Sequence, residues 1–139
     1  KLLILARELD LQNEFDEIKI QNLIPEHLRE GSAAEFLPKI NEFDAICDKI
    51  KKEQKPNHVL RYIGELSGDL QNDKGNLEVK LVSVPSDTAL GGLKGSDSFF
   101  EIYTESYGDR PIVIQGAGAG SAVTARGVFG DILRLSDKG

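Results

Sequence analysis

Arg110-Pro-Ile-Val-Ile-Gln-Gly-Ala-Gly-Ala-Gly120-Ser-Ala-Val-Thr124-Ala-Arg-Gly-Val-Phe-Gly-Asp131 is the stretch on which the fold turns. A short apolar run, Ile112-Val-Ile114, leads into glycines at 116, 118 and 120, and an amphipathic segment follows almost to the end. Strand, glycine loop and helix start together bring bare backbone N–H groups close to an anionic or planar ligand. Glycine permits positive φ and close approach, and the first turn of a helix carries unpaired donors and the positive end of the dipole. The pattern is not the dinucleotide fingerprint. Gly116, Gly118 and Gly120 read G-x-G-x-G, one residue short of G-x-G-x-x-G. The fingerprint also needs an acidic residue about 20 positions on, at the end of a second strand. Everything after Ser121 reads as helix, so no βαβ unit follows. By itself the glycine run is weak evidence for a cofactor, and the plainer reading is a tight strand-to-helix turn packed against neighbouring backbone.

Working outward, Ser98 to Thr104 and Pro111 to Gln115 read as strands, preceded by a glycine-marked loop, Leu90-Gly-Gly-Leu-Lys-Gly95. His58 to Leu66 and Leu77 to Val84 alternate, and the Asp-, Asn- and Gly-rich segment 68–75 reads as the hairpin between them. The front of the chain is helical. Lys1 to about Asn13 carries a wide apolar face, and Ile18 to Gln21 is a short strand. Pro25 to Leu28 reads as a single turn. Ser32 with Glu35 forms a capping box for a helix expected to reach about Glu53, with Phe36, Ile40, Phe43, Cys47 and Ile50 along one stripe. The last helix, about Ala119 to Leu135, is expected to bury Ala122, Ala125, Phe129, Ile132 and Leu133.

This order predicts an α+β fold: a two-layer sandwich of a mostly antiparallel or mixed sheet with helices on one face, and no Rossmann domain. Residues 1–139 are expected to form a single domain, large enough to bury roughly two thirds of the unfolded surface. The free sheet face is expected to carry His58, Arg61, Glu65, Lys80 and Tyr103, a mix that suits water or a second copy of the chain.

A net charge of −6 without a basic run argues against nucleic acid and anionic membranes as partners. The longest apolar stretch, Leu2 to Ala6, is too short to span a bilayer. A lone Cys47 suits a reducing, cytoplasmic setting. The chain opens in mid-pattern without methionine, as a piece of something longer would. His27 and His58 stand apart, with no metal-ligand spacing around them, so no metal site is expected. Cys47 on an apolar stripe reads as core filler. No serine elbow or paired carboxylate stands out. Lys1, heading an apolar helix with Arg7 two turns on, is a candidate proton-transfer amine or simply a terminus. The residues alone give an α+β domain with a ligand-type glycine loop.

Both ends of the chain resemble the catalytic domain of homoserine dehydrogenase. Lys1-Leu-Leu-Ile-Leu-Ala-Arg7 resembles the family's Ala-Arg-Lys helix and the run that continues it. Leu93-Lys-Gly-Ser-Asp97 resembles its loop before a core strand. Ile114 to Ala125 with Gly127-Val-Phe-Gly-Asp131-Ile-Leu-Arg134 resembles its C-terminal signature. The segments 32–54 and Val59-Leu-Arg-Tyr-Ile-Gly64 look most like the bifunctional aspartokinase–homoserine dehydrogenases. The resemblance implies an oxidoreductase interconverting L-homoserine and L-aspartate 4-semialdehyde with NADP or NAD, in threonine and methionine biosynthesis. It implies Lys1 as proton donor and acceptor, and Gly120, flanked by Ala119 and Ser121, beside the nicotinamide nucleotide. The cofactor would be held mainly by an upstream Rossmann half. The chain departs from the family at Ser98, where many members carry asparagine. The 139 residues alone are expected to be inactive and to pair as a homodimer through the sheet. A non-catalytic dimerisation or regulatory module of the same fold is the alternative, and a domain cradling another nucleotide's phosphates is a third.

Overall fold

The computed structural model describes residues 1–71 and 73–137. These fall into two compact units, Lys1–Ser86 and Asp87–Gly139.

In the first unit, helix α1 spans Leu2–Glu8. It ends well short of Asn13, the expected limit, because Asp10 turns the chain with φ 59°. The Leu11 N–H then bonds back to the Ala6 carbonyl at 2.9 Å and Asp10 N–H to the Arg7 carbonyl at 3.0 Å. That pair of bonds with a left-handed residue after the cap is a Schellman motif, and it satisfies carbonyls the helix end would strand. The reversal drives Leu11 back under α1, where Ala6, Leu11 and Leu77 form the buried core, packed round by Leu2, Ile18 and Leu66.

Strand β1 (Lys19–Ile20) pairs parallel with β3 (Asn76–Pro85), and β3 pairs antiparallel with β2 (His58–Ser67), giving the order β1-β3-β2. The β2–β3 ladder runs from His58 opposite Pro85 to Ser67 opposite Asn76. Its turn falls in the expected hairpin segment, of which Asn72 lies outside the described residues. Asn13 ties the N-terminal arm to this hairpin. Its side-chain amide donates to the Gly75 carbonyl and accepts from the Gly75 N–H, both at 2.9 Å, while only 4% exposed.

The helix expected from Ser32 to Glu53 is two helices. The capping box is present, with Glu35 Oε2 accepting from the Ser32 N–H at 2.7 Å, and those hydrogen bonds hold the Glu35 carboxyl below its ordinary pKa. Helix α2 stops after Ala33–Phe36, a tighter turn covers Leu37–Lys39, and α3 continues over Ile40–Lys52. Pro38 is the cause: it lacks the N–H that would bond four residues back, and its ring crowds the preceding turn. Along the expected stripe, Phe36, Phe43, Cys47 and Ile50 are half-buried and Ile40 is exposed.

The second unit holds β4 (Asp97–Ile102) and β5 (Ile112–Ala117), an antiparallel pair, then α4 (Ser121–Ser136). The α+β class and the mixture of parallel and antiparallel pairing are as expected, but the strands form two ladders, one per unit. Two further expectations are corrected. The apolar side of α4 is exposed, Phe129 at 61% and Ile132 at 56%. Amphipathic spacing says that a helix face wants cover, and not what supplies it. His58 sits on the opposite face of the β2–β3 ladder from Arg61, Glu65 and Lys80: strand side chains alternate, so 58 faces away from 61 and 65, and Lys80 stands opposite Ile63 on their side. Tyr103 lies beyond the end of β4.

Candidate functional site

The glycine loop is built by register. Asp97 stands opposite Ala117 and Ser98 opposite Gly116, so the start of β4 runs alongside the residues that leave β5. The Gly118 N–H donates to the Ser96 carbonyl at 3.1 Å, and the Ser96 hydroxyl donates to the Ala119 carbonyl at 3.2 Å. Gln115 Nε2 donates to Asp97 Oδ2 at 2.9 Å one step earlier.

Two of the three glycines have a structural reason to be glycine, and the reasons differ. A Cβ on Gly118 would lie 1.6 Å from Ser98 Oγ, so this position is filled by its neighbour. Gly120 has φ +128°, where L side chains rarely sit, yet a Cβ there would meet nothing within 4 Å. Gly116 also faces open space. Packing against a neighbour therefore explains Gly118, whereas at Gly120 the backbone conformation calls for glycine and no neighbouring atom does.

Gly120 is also the N-cap of α4, and no side chain caps that end. The Gly120 carbonyl accepts from both the Thr124 N–H and the Thr124 hydroxyl, each at 3.0 Å. Ala119, Gly120 and Ser121 are contiguous and exposed at this turn. Lys1 belongs to the first unit, where it is exposed and caps α1, its carbonyl accepting from the N–H groups of Ile4 and Leu5 at 3.1 and 3.3 Å.

The other candidates stay apart from this chemistry. His27 Nε2 meets Glu42 Oε2 at 3.0 Å on an exposed surface, and His58 Nδ1 meets the Pro56 carbonyl at 3.0 Å. Cys47 is a half-buried free thiol. Among the described residues no group of three or more His, Cys, Asp or Glu is placed to hold a metal ion, and no helix is long and apolar enough to cross a membrane. A recess of about 310 Å³ between the end of α3 and the β2–β3 ladder is lined by Ile50, Gln54, Leu60 and Leu81, and by none of the expected site residues.

Sequence reasoning missed Ser96 and Thr124 as the braces of the loop. A signal for Thr124 existed, since a threonine four residues into a helix can bond back to the carbonyl at i−4. Ser96 had none, because its role depends on the β4–β5 register.

Fold and loop together define an α+β domain, with a strand, a braced glycine turn and a helix start that no side chain caps. Comparison with known proteins makes the class particular: the model of the homoserine dehydrogenase family matches residues 1–133, and the chain belongs to that family. It is 39% identical over 141 residues to a homoserine dehydrogenase of Paracoccidioides brasiliensis, covering 99% of this chain and 37% of that protein. It is 42% identical over 139 residues to the chloroplastic bifunctional aspartokinase/homoserine dehydrogenase of Daucus carota, covering 98% and 14%. A crystal structure of a Candida auris protein described as of unknown function superposes with a TM-score of 0.74 at 35% identity, over 99% of this chain and 38% of that one. The chain thus spans little more than a third of the homoserine dehydrogenase above.

Proposed function

We propose that the chain is the C-terminal portion of the catalytic domain of a homoserine dehydrogenase, and that residues 1–139 work there as one domain. The enzyme interconverts L-homoserine and L-aspartate 4-semialdehyde with NADP or NAD, on the route to threonine and methionine. The observation that carries this reading is the turn at Gly120, with its positive φ, the vacant space where a side chain would stand, and an uncapped helix start behind it. Those features fit a dinucleotide cofactor whose Rossmann half lies elsewhere in the enzyme. When bound there, a nicotinamide cofactor would supply the hydride-transfer chemistry.

The residues of this chain do the rest. Gly120, with Ala119 and Ser121, brings bare backbone and N–H donors up to the nucleotide. Lys1 takes the hydroxyl proton of homoserine as the alcohol becomes an aldehyde, and gives it back in the reverse direction. A lysine works in this role when its surroundings bring its pKa toward neutrality. With only one end of the site, the 139 residues alone turn over no substrate. The lone Cys47 fits a cytoplasmic enzyme.

The test is L-homoserine-dependent reduction of NAD(P)⁺ by the full-length protein beside its Lys1→Ala variant. Activity that falls by orders of magnitude in the variant supports both the reaction and the lysine. A folded, inactive full-length protein hands the case to a non-catalytic dimerisation module. The partner expected in either case is a second copy. Val59, Arg61, Ile63 and Glu65 of β2 share one face with Glu78, Lys80, Val82 and Val84 of β3. Lys80 bridges Glu65 at 3.1 Å and Glu78 at 2.9 Å across that face. Valines flanking a self-neutralised charge cluster suit a homodimer through the sheet. A monomeric mass by light scattering at micromolar concentration would refute it.

A further inference from the structure

We infer that Ser96 is a positioning residue for the cofactor turn, and that it acts by aiming the Gly120 N–H. In a planar trans peptide the carbonyl and the N–H point in opposite directions. The Ser96 hydroxyl holds the Ala119 carbonyl at 3.2 Å, which directs the Gly120 N–H of the same peptide the other way. Thr124 does the same one peptide on: its N–H and hydroxyl hold the Gly120 carbonyl at 3.0 Å, and the Ser121 N–H points away from them. Neither of those two N–H groups makes a hydrogen bond within the described residues. Both carbonyls are thus tied down and both donors left free, side by side at a turn with vacant space beside it.

Ser96 holds the loop twice, since its own carbonyl also accepts from Gly118 at 3.1 Å. The backbone bond survives any substitution; the hydroxyl bond does not. A glycine at φ +128° has wide conformational freedom, so without the hydroxyl the Ala119–Gly120 peptide is free to rotate and its donor is no longer preset. An acceptor oxygen of the dinucleotide then has to organise the turn as it binds, and affinity falls while the chemical step keeps its rate. The Thr124 hydroxyl matters less, because its N–H reaches the same carbonyl.

This inference rests on the proposed function for its ligand, and its test separates the two. In the full-length protein, Ser96→Ala is expected to raise the KM for NAD(P)⁺ about three- to tenfold, as loss of one preorganising hydrogen bond does. The kcat and the homoserine KM stay within about twofold of wild type on the same ground. Ser96→Thr, which keeps a hydroxyl, restores the cofactor KM. The second arm needs no activity: amide hydrogen exchange on the chain should speed up in Ser96→Ala at Thr124, whose N–H bonds to the Gly120 carbonyl, with the β2–β3 ladder unchanged. Unchanged exchange and unchanged cofactor KM would overturn the role of Ser96. So would a variant in which kcat and both KM values worsen together with melting temperature, the signature of general damage. A wild-type protein without homoserine-dependent turnover overturns the proposed function, and the exchange arm still decides whether Ser96 orders the turn.

Discussion

Replacing Gly118 by alanine puts a methyl group where Ser98 already stands. The new carbon would lie 1.6 Å from Ser98 Oγ, 2.6 Å from Ser98 Cβ and 3.2 Å from Ser98 N. These contacts are not equally costly. Ser98 is exposed, so its hydroxyl can swing to another rotamer. Its Cβ is fixed by the backbone and cannot move without the strand. The 2.6 Å contact therefore decides the outcome, and relieving it means prising the end of β5 from the start of β4 and losing the Gly118–Ser96 backbone bond. Overpacking of this kind costs about 1–3 kcal/mol, and a lost hydrogen bond about 1 kcal/mol more, so Gly118→Ala should cost about 2–4 kcal/mol. A short series tests which atom is responsible. Ser98→Ala alone removes only the hydroxyl and should shift stability by less than about 0.5 kcal/mol. Added to Gly118→Ala it should rescue almost nothing, because Cβ remains. Ser98→Gly added to Gly118→Ala removes both offending atoms and should recover about half the loss, a coupling of 1–2 kcal/mol, about what touching residues show. The assay is urea unfolding of the chain, followed at backbone amides of β4 and β5 so that the second unit reports on itself. A Gly118→Ala midpoint equal to wild type, or rescue by Ser98→Ala as complete as by Ser98→Gly, would refute the steric account.

Asn13→Ala strands the N–H and carbonyl of Gly75 in a part-buried site; unfolding by urea should show a loss of about 2–4 kcal/mol, one to two for each unpaired group. Gly120→Val in the full-length protein should raise the cofactor KM about tenfold with the fold retained, since a β-branched residue at positive φ distorts the turn by about 1–3 kcal/mol; unchanged kinetics would mean that the loop is only a turn. Glu78 is held below the ordinary carboxylate pKa by its hydrogen bond to Lys80 and by the charges of Lys80 and Lys19, and Glu17 by its hydrogen bonds to Lys74 and the backbone at Glu14. A carboxyl depressed in the folded state stabilises it above the unfolded pKa, and that contribution is lost as pH falls through the folded value. Stability should therefore decline below about pH 4.5, and Glu78→Gln should flatten the decline; an identical slope in the variant would show that the pair contributes nothing.

What was legible in the sequence followed from local chemistry. The Ser32–Glu35 capping box, the β2–β3 hairpin and the strand-to-helix turn at Gly120 are each set by residues a few positions apart, and each stands where the pattern puts it. The misses came from single residues that override a period. Asp10 cut α1 short by adopting a positive φ that aspartate tolerates and does not announce. Pro38 did announce itself, and the apolar stripe on either side of it outweighed the missing N–H. His58 suits the polar face by residue type, but its position along β2 puts it on the other side from Arg61 and Glu65. The exposed apolar side of α4 is a miss of another kind. Its spacing was right, but burial is a property of what lies alongside.

The glycine loop shows how far residue type carries and where it stops. Three glycines at alternate positions look alike in the sequence, and each is compatible with packing, with turning and with ligand approach. Only the register of β4 against β5 separates them, because it brings Ser98 under Gly118 and leaves Gly120 open. That same register supplies Ser96, so the contact that makes Gly118 obligatory and the hydroxyl that steadies Ala119 come from one tripeptide, Ser96-Asp97-Ser98. A glycine turn open enough for close approach is too flexible to hold its N–H groups in place unaided. Strand pairing resolves the conflict by bracing the two residues before Gly120, while Thr124 holds the carbonyl after it. Access at Gly120 and rigidity on either side of it are thus products of the same hairpin. A change at residue 96 or 98 should consequently reach the turn at Gly120 through the loop, without touching Gly120 itself.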